Sequence, residues 1–184
     1  LPPLHVAVSA GHSDLVELLV ERGALADHYA DLGDGETAPA AFLAFDQPAS
    51  SLPVLHALDE AGANLRLRSS AGRNLLMAAC AARTPVATLS KLLASGVPID
   101  GSTGDGATAL HAAVVARSEA AVMFLLANGA NREATIDGVG TARDIAAAAL
   151  LPPEQVEPRA LREYLARHGL SGTAMSPILA ALDR

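Results

Sequence analysis

Residues 106–113 read Gly-Ala-Thr-Ala-Leu-His-Ala-Ala, and residues 124–131 read Phe-Leu-Leu-Ala-Asn-Gly-Ala-Asn. The first stretch predicts a short, alanine-rich helix. The second predicts the end of another helix, because Gly129 can adopt the left-handed backbone without a Cβ clash. The glycine-rich segment 101–106 predicts a hairpin turn in front of them. None of these segments carries a catalytic signature, and weaker copies of the unit recur on both sides.

The copies recur at a nearly constant period. With the threonine of the opening as the marker, the spacings between successive copies are 35, 37, 34 and 33 residues. In three cases the gap from a closing glycine to the next marker is 12 residues. The second marker is uncertain by one residue, Thr37 or Ala38. The markers are Pro2, Thr37, Asn74, Thr108 and Thr141, and the closing glycines are Gly23, Gly62, Gly96, Gly129 and Gly169.

This pattern resembles the ankyrin repeat, which has a period of about 33 residues. The resemblance covers nearly the whole chain and implies an all-α solenoid of stacked helix-turn-helix units with hairpin loops. No single unit can bury its own apolar face, so stacking of neighbours must supply the core. We expect one array over residues 1–184. Its repeats are expected at about 1–33, 34–70, 71–103, 104–137 and 138–172, with a C-terminal cap at 173–184.

Two copies are longer than the others. The extra residues lie at 46–53 and 151–158, and both segments contain prolines that cannot continue a helix. They are interpreted as insertions between the two helices of a repeat, serving either as tolerated surface loops or as binding loops. Residues 176–184 are expected to form the capping helix, with Ile178, Leu179 and Leu182 turned inward.

Composition narrows the function classes. The net charge of −7 disfavours non-specific binding to nucleic acid or anionic membranes. Aromatic residues are 3% of the chain, which argues against a large aromatic-lined ligand cavity.

Cys80 cannot form an internal disulfide, which fits a reducing compartment. The chain starts at Leu1 inside the opening motif, so we expect upstream residues to be missing; a cytoplasmic location is expected, although secretion stays open. The excess of arginine over lysine suggests a bacterial source.

The residues that could take part in catalysis or metal binding have structural explanations. The resemblance implies that His5 and His111 tie each repeat to the adjoining hairpin through backbone hydrogen bonds. No Cys/His cluster has zinc-ligand spacing. His56 and Asp59 have no nucleophile beside them. The chain is therefore predicted to have no catalytic residue, no metal site and no cofactor.

The resemblance implies that a partner protein would contact hairpin tips and polar positions of the inner helices. Acidic residues dominate the first hairpin and arginines the second, which would orient a partner. Tyr29 and Phe45 are proposed as a hot spot; the alternative is that Phe42 and Phe45 fill gaps in an irregular repeat. The predicted binding residues are Tyr29, Asp34, Glu36, Phe45, Arg66, Arg68, Arg73 and Asp105.

The sequence therefore predicts a monomeric, non-enzymatic protein-binding module. Two alternatives stay open: a targeting or substrate-recruiting fragment of a larger secreted bacterial effector, and an immunity protein or antitoxin that blocks a toxin. An enzyme within this chain is the least supported interpretation.

Overall fold

The computed structural model describes residues 1–32 and 35–184, and helices dominate it. The α-helices are α1 Pro3–Ser9, α2 Ser13–Glu21, α3 Ser51–Glu60, α4 Leu75–Ala81, α5 Val86–Ala94, α6 Ala109–Val115, α7 Glu119–Ala127, α8 Ala142–Ala148, α9 Arg159–Arg167 and α10 Ser176–Leu182. Short 3-10 helices cover Ala40–Phe45, Pro48–Ser50, Pro153–Gln155 and Thr173–Met175.

Two rows of helices stack along the chain. The inner row contains α1, the 3-10 helix Ala40–Phe45, α4, α6 and α8, each in contact with the next. The outer row contains α2, α3, α5 and α7. Leucine, isoleucine and alanine side chains from both rows form one continuous core. The predicted all-α repeat solenoid is confirmed.

Local chemistry explains where the inner helices begin. The side chain of Asn74 accepts a hydrogen bond from the amide of Met77 at 2.9 Å, which caps α4. Thr108 caps α6 and Thr141 caps α8, both in reciprocal capping boxes. Pro2 precedes α1 in the same extended conformation. Four of the five sequence markers are thus residues at helix starts.

The second repeat begins later than its marker. Its 3-10 helix follows Pro39, two residues after Thr37, and all of its residues, Ala40–Phe45, are buried. The insertion forms the 3-10 helix Pro48–Ser50, and α3 starts directly after it. The shift of start alters which side chains of this repeat face the core.

The connections between repeats form a row of loops at one end of the helices. Strand β1 (Tyr29–Asp31) pairs antiparallel with β2 (Thr37–Pro39), and β3 (Thr135–Ile136) pairs antiparallel with β4 (Gly140–Thr141). Neighbouring loops are hydrogen bonded: the amide of Ser70 donates to the carbonyl of Thr37 at 2.8 Å. These bonds hold the loop row in register with the helices.

The last repeat departs from the predicted order. We expected α9 to be the outer helix of the fifth repeat and α10 to be a cap. Instead α10 packs against α7 and α8, in the place that the outer helix takes in the preceding repeats. Ile178 and Leu182 are buried there, whereas Leu179 is half-buried. Arg143 also pairs with Asp183 at 2.6 Å.

Helix α9 is consequently outside the outer row. It contacts α8, and its Leu161 and Leu165 side chains are buried. Its C-terminal end lies near the face of α6 that is turned towards the loops. The segment 151–158 supplies the connection that takes the chain to this position. The fifth repeat is therefore formed by α8 and α10, and α9, inserted between them in the sequence, is an additional helix that lies over the inner row.

Among the residues that the structure describes, no helix is long and apolar enough to cross a membrane.

Candidate functional site

A cleft of about 690 Å³ lies along the inner row between the loops and α9. We call it the inner-face cleft. Helices α4 and α6 form its floor, the loops form one wall, and the C-terminal end of α9 forms the opposite wall. Its lining residues are Ala71, Arg73, Met77, Ala81, Thr103, Gly104, Asp105, Ala107, Thr108, His111, Ala112, Val115, Ala116, Ile136, Tyr164, Arg167 and His168.

The floor is made of small apolar side chains. Ala81 is exposed, and Ala112, Val115 and Ala116 are half-buried. They occupy the side of the inner helices that neither the outer row nor a neighbouring repeat covers. Apolar area that stays accessible in a concave setting is typical of a binding site.

The α9 wall carries the aromatic and basic groups of the cleft. The ring of Tyr164 is 4.5 Å from the ring of His168, centroid to centroid. Burial raises the pKa of Tyr164 and lowers the pKa of His168. A side-chain nitrogen of Arg117 donates to the carbonyl of Gly169 at 2.5 Å, which anchors the end of α9 to the α6–α7 turn.

The loop wall carries an acidic group that is already engaged. The hydroxyl of Thr103 donates to the Asp105 carboxylate, and this bond is the main cause of the lowered pKa of Asp105. The Asp105 carbonyl accepts from the amide of Asp137 at 2.9 Å. Asp105 thus stabilises the loop as well as lining the cleft.

His5 and His111, the histidines of the repeat openings, are buried. The amide of Thr108 donates to Nδ1 of His111 at 3.2 Å. Burial lowers the pKa of His111, and the backbone of Ala134 and Gly140 in the following hairpin opposes the shift. Nε2 of His111 and both ring nitrogens of His5 have no partner in hydrogen-bonding geometry within residues 1–32 and 35–184. His111 therefore caps its own helix, and the backbone of Ala134 and Gly140 in the following hairpin lies close enough to its ring to favour the protonated form.

Within the described residues, four of the eight predicted binding residues take part through their side chains in hydrogen bonds or an ion pair between neighbouring loops. Nε of Arg73 donates to Oε1 of Glu36 at 3.1 Å, and the two side chains form an ion pair. The hydroxyl of Tyr29 donates to the carbonyl of Arg68 at 2.6 Å. The Arg68 side chain donates to the carbonyl of Ser102 at 2.6 Å. These side chains therefore connect three successive loops.

The predicted residues differ in their position relative to the cleft. Arg73 and Asp105 line the inner-face cleft. Arg66 is exposed on the loop row, away from the cleft. Asp34 lies outside the described residues.

Phe45 requires a correction. It was expected on the partner-facing surface, but only 5% of it is exposed, and Phe42 is buried beside it. The 3-10 helix begins after Pro39, so Phe45 takes the position that Cys80 and Val114 take in α4 and α6, where both are buried. The structure supports the alternative that both phenylalanines fill the core of the irregular repeat.

The α9 residues Tyr164, Arg167 and His168 were not predicted to belong to the site. The available signal was the proline-rich segment 151–158, which separates α9 from α8 by more residues than a regular repeat allows. That segment is interpreted from the sequence as an insertion between the two helices of a repeat, either a tolerated surface loop or a binding loop. Nothing in the sequence of α9 itself distinguishes a helix over the inner row from one in the outer row.

The described residues show no group of three or more His, Cys, Asp or Glu side chains that could hold a metal ion. Burial raises the pKa of the free Cys80 thiol to about 12. A thiol with that pKa is a poor nucleophile at neutral pH, because the thiolate is the reactive form.

Comparison with known proteins agrees with this architecture. The family model described as ankyrin repeats in three copies matches residues 42–136, and the single ankyrin-repeat model matches residues 1–31. The chain is 30% identical over 134 residues to the E3 ubiquitin-protein ligase KEG of Arabidopsis thaliana. The match covers 72% of this chain but 8% of the ligase. Ankyrin repeats are in general protein-interaction modules and not catalytic units. The chain belongs to the ankyrin-repeat family.

Proposed function

We propose that this chain is a non-enzymatic module that binds a partner protein through the inner-face cleft and the adjoining loops. The observation that carries the proposal is the accessible apolar floor between two polar walls. The floor residues line the cleft and keep accessible area, Ala81 exposed and Ala112, Val115 and Ala116 half-buried. Binding would remove this apolar area from water, at about 25 cal/mol per Å².

The predicted loop residues support a surrounding contact surface. Tyr29 is 41% exposed, and its hydroxyl is held in place by Arg68. A rigid aromatic side chain loses little conformational entropy on binding, which makes Tyr29 a suitable contact. Arg66, Arg68, Arg73, Glu36, Asp34 and Asp105 complete this proposed surface, from which Phe45 is removed.

The test compares two substitutions that each place an arginine on an accessible apolar position, half-buried at Val115 and exposed at Met123. Val115→Arg fills the cleft floor, whereas Met123→Arg lies on the outer helix α7, where Met123 is 45% exposed. Proteins captured from a lysate of the native source by the unmodified chain and by Met123→Arg should be lost with Val115→Arg. Equal capture by both variants, with unchanged circular dichroism, would show that the cleft is not the binding surface.

A second candidate function is substrate recruitment within a larger protein. It is favoured by the match to the Arabidopsis ligase, of which the matched region covers 8%. The proposal includes a monomeric state and a cytoplasmic location. The free, buried Cys80 supports the location, because it fits a reducing compartment. Analytical ultracentrifugation of the purified chain would test the monomer.

A further inference from the structure

We infer that the inner-face cleft receives an extended peptide segment of the partner that carries a large apolar side chain followed by an acidic residue. This inference rests on the proposed protein-binding function and specifies its ligand. It is carried by the position of an apolar floor beside arginines that outnumber the acidic residues at the α9 end of the cleft.

The shape of the cleft comes from α9. In the other repeats the inner row is bordered by loops on one side only. Here the end of α9, with Tyr164 and His168, stands opposite the loop that contains Thr103 and Asp105. Two walls over a floor of alanine and valine leave room for an extended strand of peptide and for one large side chain above Ala112.

The charges at the two walls are not equivalent. On the loop wall Arg73 is paired with Glu36, and Asp105 accepts the hydroxyl of Thr103. Arg167, on the α9 wall, is exposed and forms no ion pair within the described part of the chain. The Asp105 carboxylate stays ionised, because a neutral hydroxyl donor does not cancel its charge and its pKa is lowered. The loop wall is therefore acidic, and the positive charge available to a ligand lies at the end of α9.

Two further arginines strengthen the positive end. Arg83 and Arg117 occupy equivalent turns after α4 and α6, and a side-chain nitrogen of Arg83 donates to the carbonyl of Arg117 at 3.4 Å. Arg117 in turn donates to Gly169 beside Arg167. The three surrounding segments, 81–86, 116–120 and 166–172, contain a single acidic residue, Glu119. This is a local excess of positive charge in a chain whose net charge is −7.

A carboxylate is the group that fits this end. The planar guanidinium offers paired donors that match the two oxygens of an aspartate or glutamate. The floor and Arg167 line one cleft, so we place the apolar and acidic residues near each other in the peptide sequence. The overall negative charge of the chain opposes nucleic acid as the anionic ligand.

The experiment uses a display library of short random peptides, selected on the intact chain. The enriched peptides are synthesised with a fluorescent label, and their affinity is measured by anisotropy. We expect enrichment of a leucine or aromatic residue with aspartate or glutamate within three positions. Arg167→Glu should weaken binding by about tenfold, and replacing the peptide's acidic residue with lysine should restore it. Arg22→Glu, an equal charge change on the exposed end of α2, should have no effect.

The contrary outcomes separate the two levels of the proposal. Enrichment of basic peptides, or peptide binding that Arg167→Glu leaves unchanged, would overturn the acidic ligand. A library that yields no binder, while the captured partner still depends on Val115, would overturn the linear peptide but leave the protein-binding function. A captured partner that binds Val115→Arg normally would overturn the proposed function itself. Selective retention of short oligonucleotides over peptides would identify a different ligand class and overturn the inference.

Discussion

The second and fourth repeats place similar residues in the inner row with opposite consequences. In the second, the 3-10 helix Ala40–Phe45 is buried along its whole length. In the fourth, α6 keeps Ala112 and Val115 half-buried, and these residues form the floor of the cleft. Both segments are apolar, so composition does not separate them.

The difference lies in the position of each residue relative to the start of its helix. Phe42 and Phe45 take the places of His111 and Val114, which are buried in α6 too, whereas Ala112 and Val115 lie on the accessible face of α6. Aromatic residues in a repeat protein therefore indicate a binding surface only when the start of the inner helix is known.

The largest expected effect comes from Phe45→Ala. Removing a buried phenylalanine leaves a cavity and should lower the free energy of unfolding by about 3–5 kcal/mol. Tyr29→Ala, at an exposed aromatic in the same repeat, should cost about 1 kcal/mol, mostly from the lost bond to Arg68. Urea denaturation followed by circular dichroism measures both. Equal and small losses would return Phe45 to the surface and remove the contrast with the fourth repeat.

A second pair of substitutions tests the wall of the fourth-repeat cleft. Ile178→Ala, in α10, should cost about 3 kcal/mol, because α10 completes the core against α7. Leu165→Ala, in α9, should cost about 1 kcal/mol globally, because α9 can detach locally without unfolding the array. Hydrogen exchange of the α9 amides should accelerate in Leu165→Ala alone. If the two losses are reversed, α9 belongs to the outer row as the sequence suggested.

The third prediction concerns pH, since the fourth repeat has His111 where the second has Phe42. Burial lowers the pKa of His111 below its ordinary 6.5, and the same holds for His5 and His168. The unfolded chain then binds more protons than the folded chain below pH 6.5, so this contribution to stability is complete above that pH and is lost as the pH falls below it. We expect His111 to contribute to this loss, because its neutral form is favoured in the folded chain.

The measurement is urea denaturation at pH 7.5 and at pH 5.5. His111→Gln retains an acceptor for the amide of Thr108 but does not titrate, so it should show a smaller difference between the two pH values. The same difference in both proteins would mean that His111 does not contribute, leaving His5 and His168.

The smallest expected change in stability is at the cleft floor. Val115→Ser removes apolar area that is already half exposed, so it should cost about 1 kcal/mol or less. Its effect on partner affinity should be larger than that of Met123→Ser on the outer row, as measured by titration calorimetry. A loss of stability near that of Phe45→Ala would show that Val115 is a core residue and that the second and fourth repeats do not differ in the way described.

Much of the repeat could be predicted because its rules are local. Thr108 and Asn74 cap helices because their side-chain oxygens satisfy free amides one turn ahead, a relation contained within four residues. Gly129 ends α7 with a φ of 85°, a conformation that residues with a Cβ rarely adopt. The candidate site was predicted only in part: Arg73 and Asp105 line the cleft, but Phe45 does not.

The sequence by itself determined the period, the starts of four inner helices and the family, because each depends on side chains and backbone within one unit. Only the tertiary structure decided which of two C-terminal helices enters the outer row. Helices α9 and α10 both present apolar residues at helical spacing, so both could pack beside α7. The choice is made by which one fits the groove between α7 and α8, and α9 then remains to form the wall of the cleft.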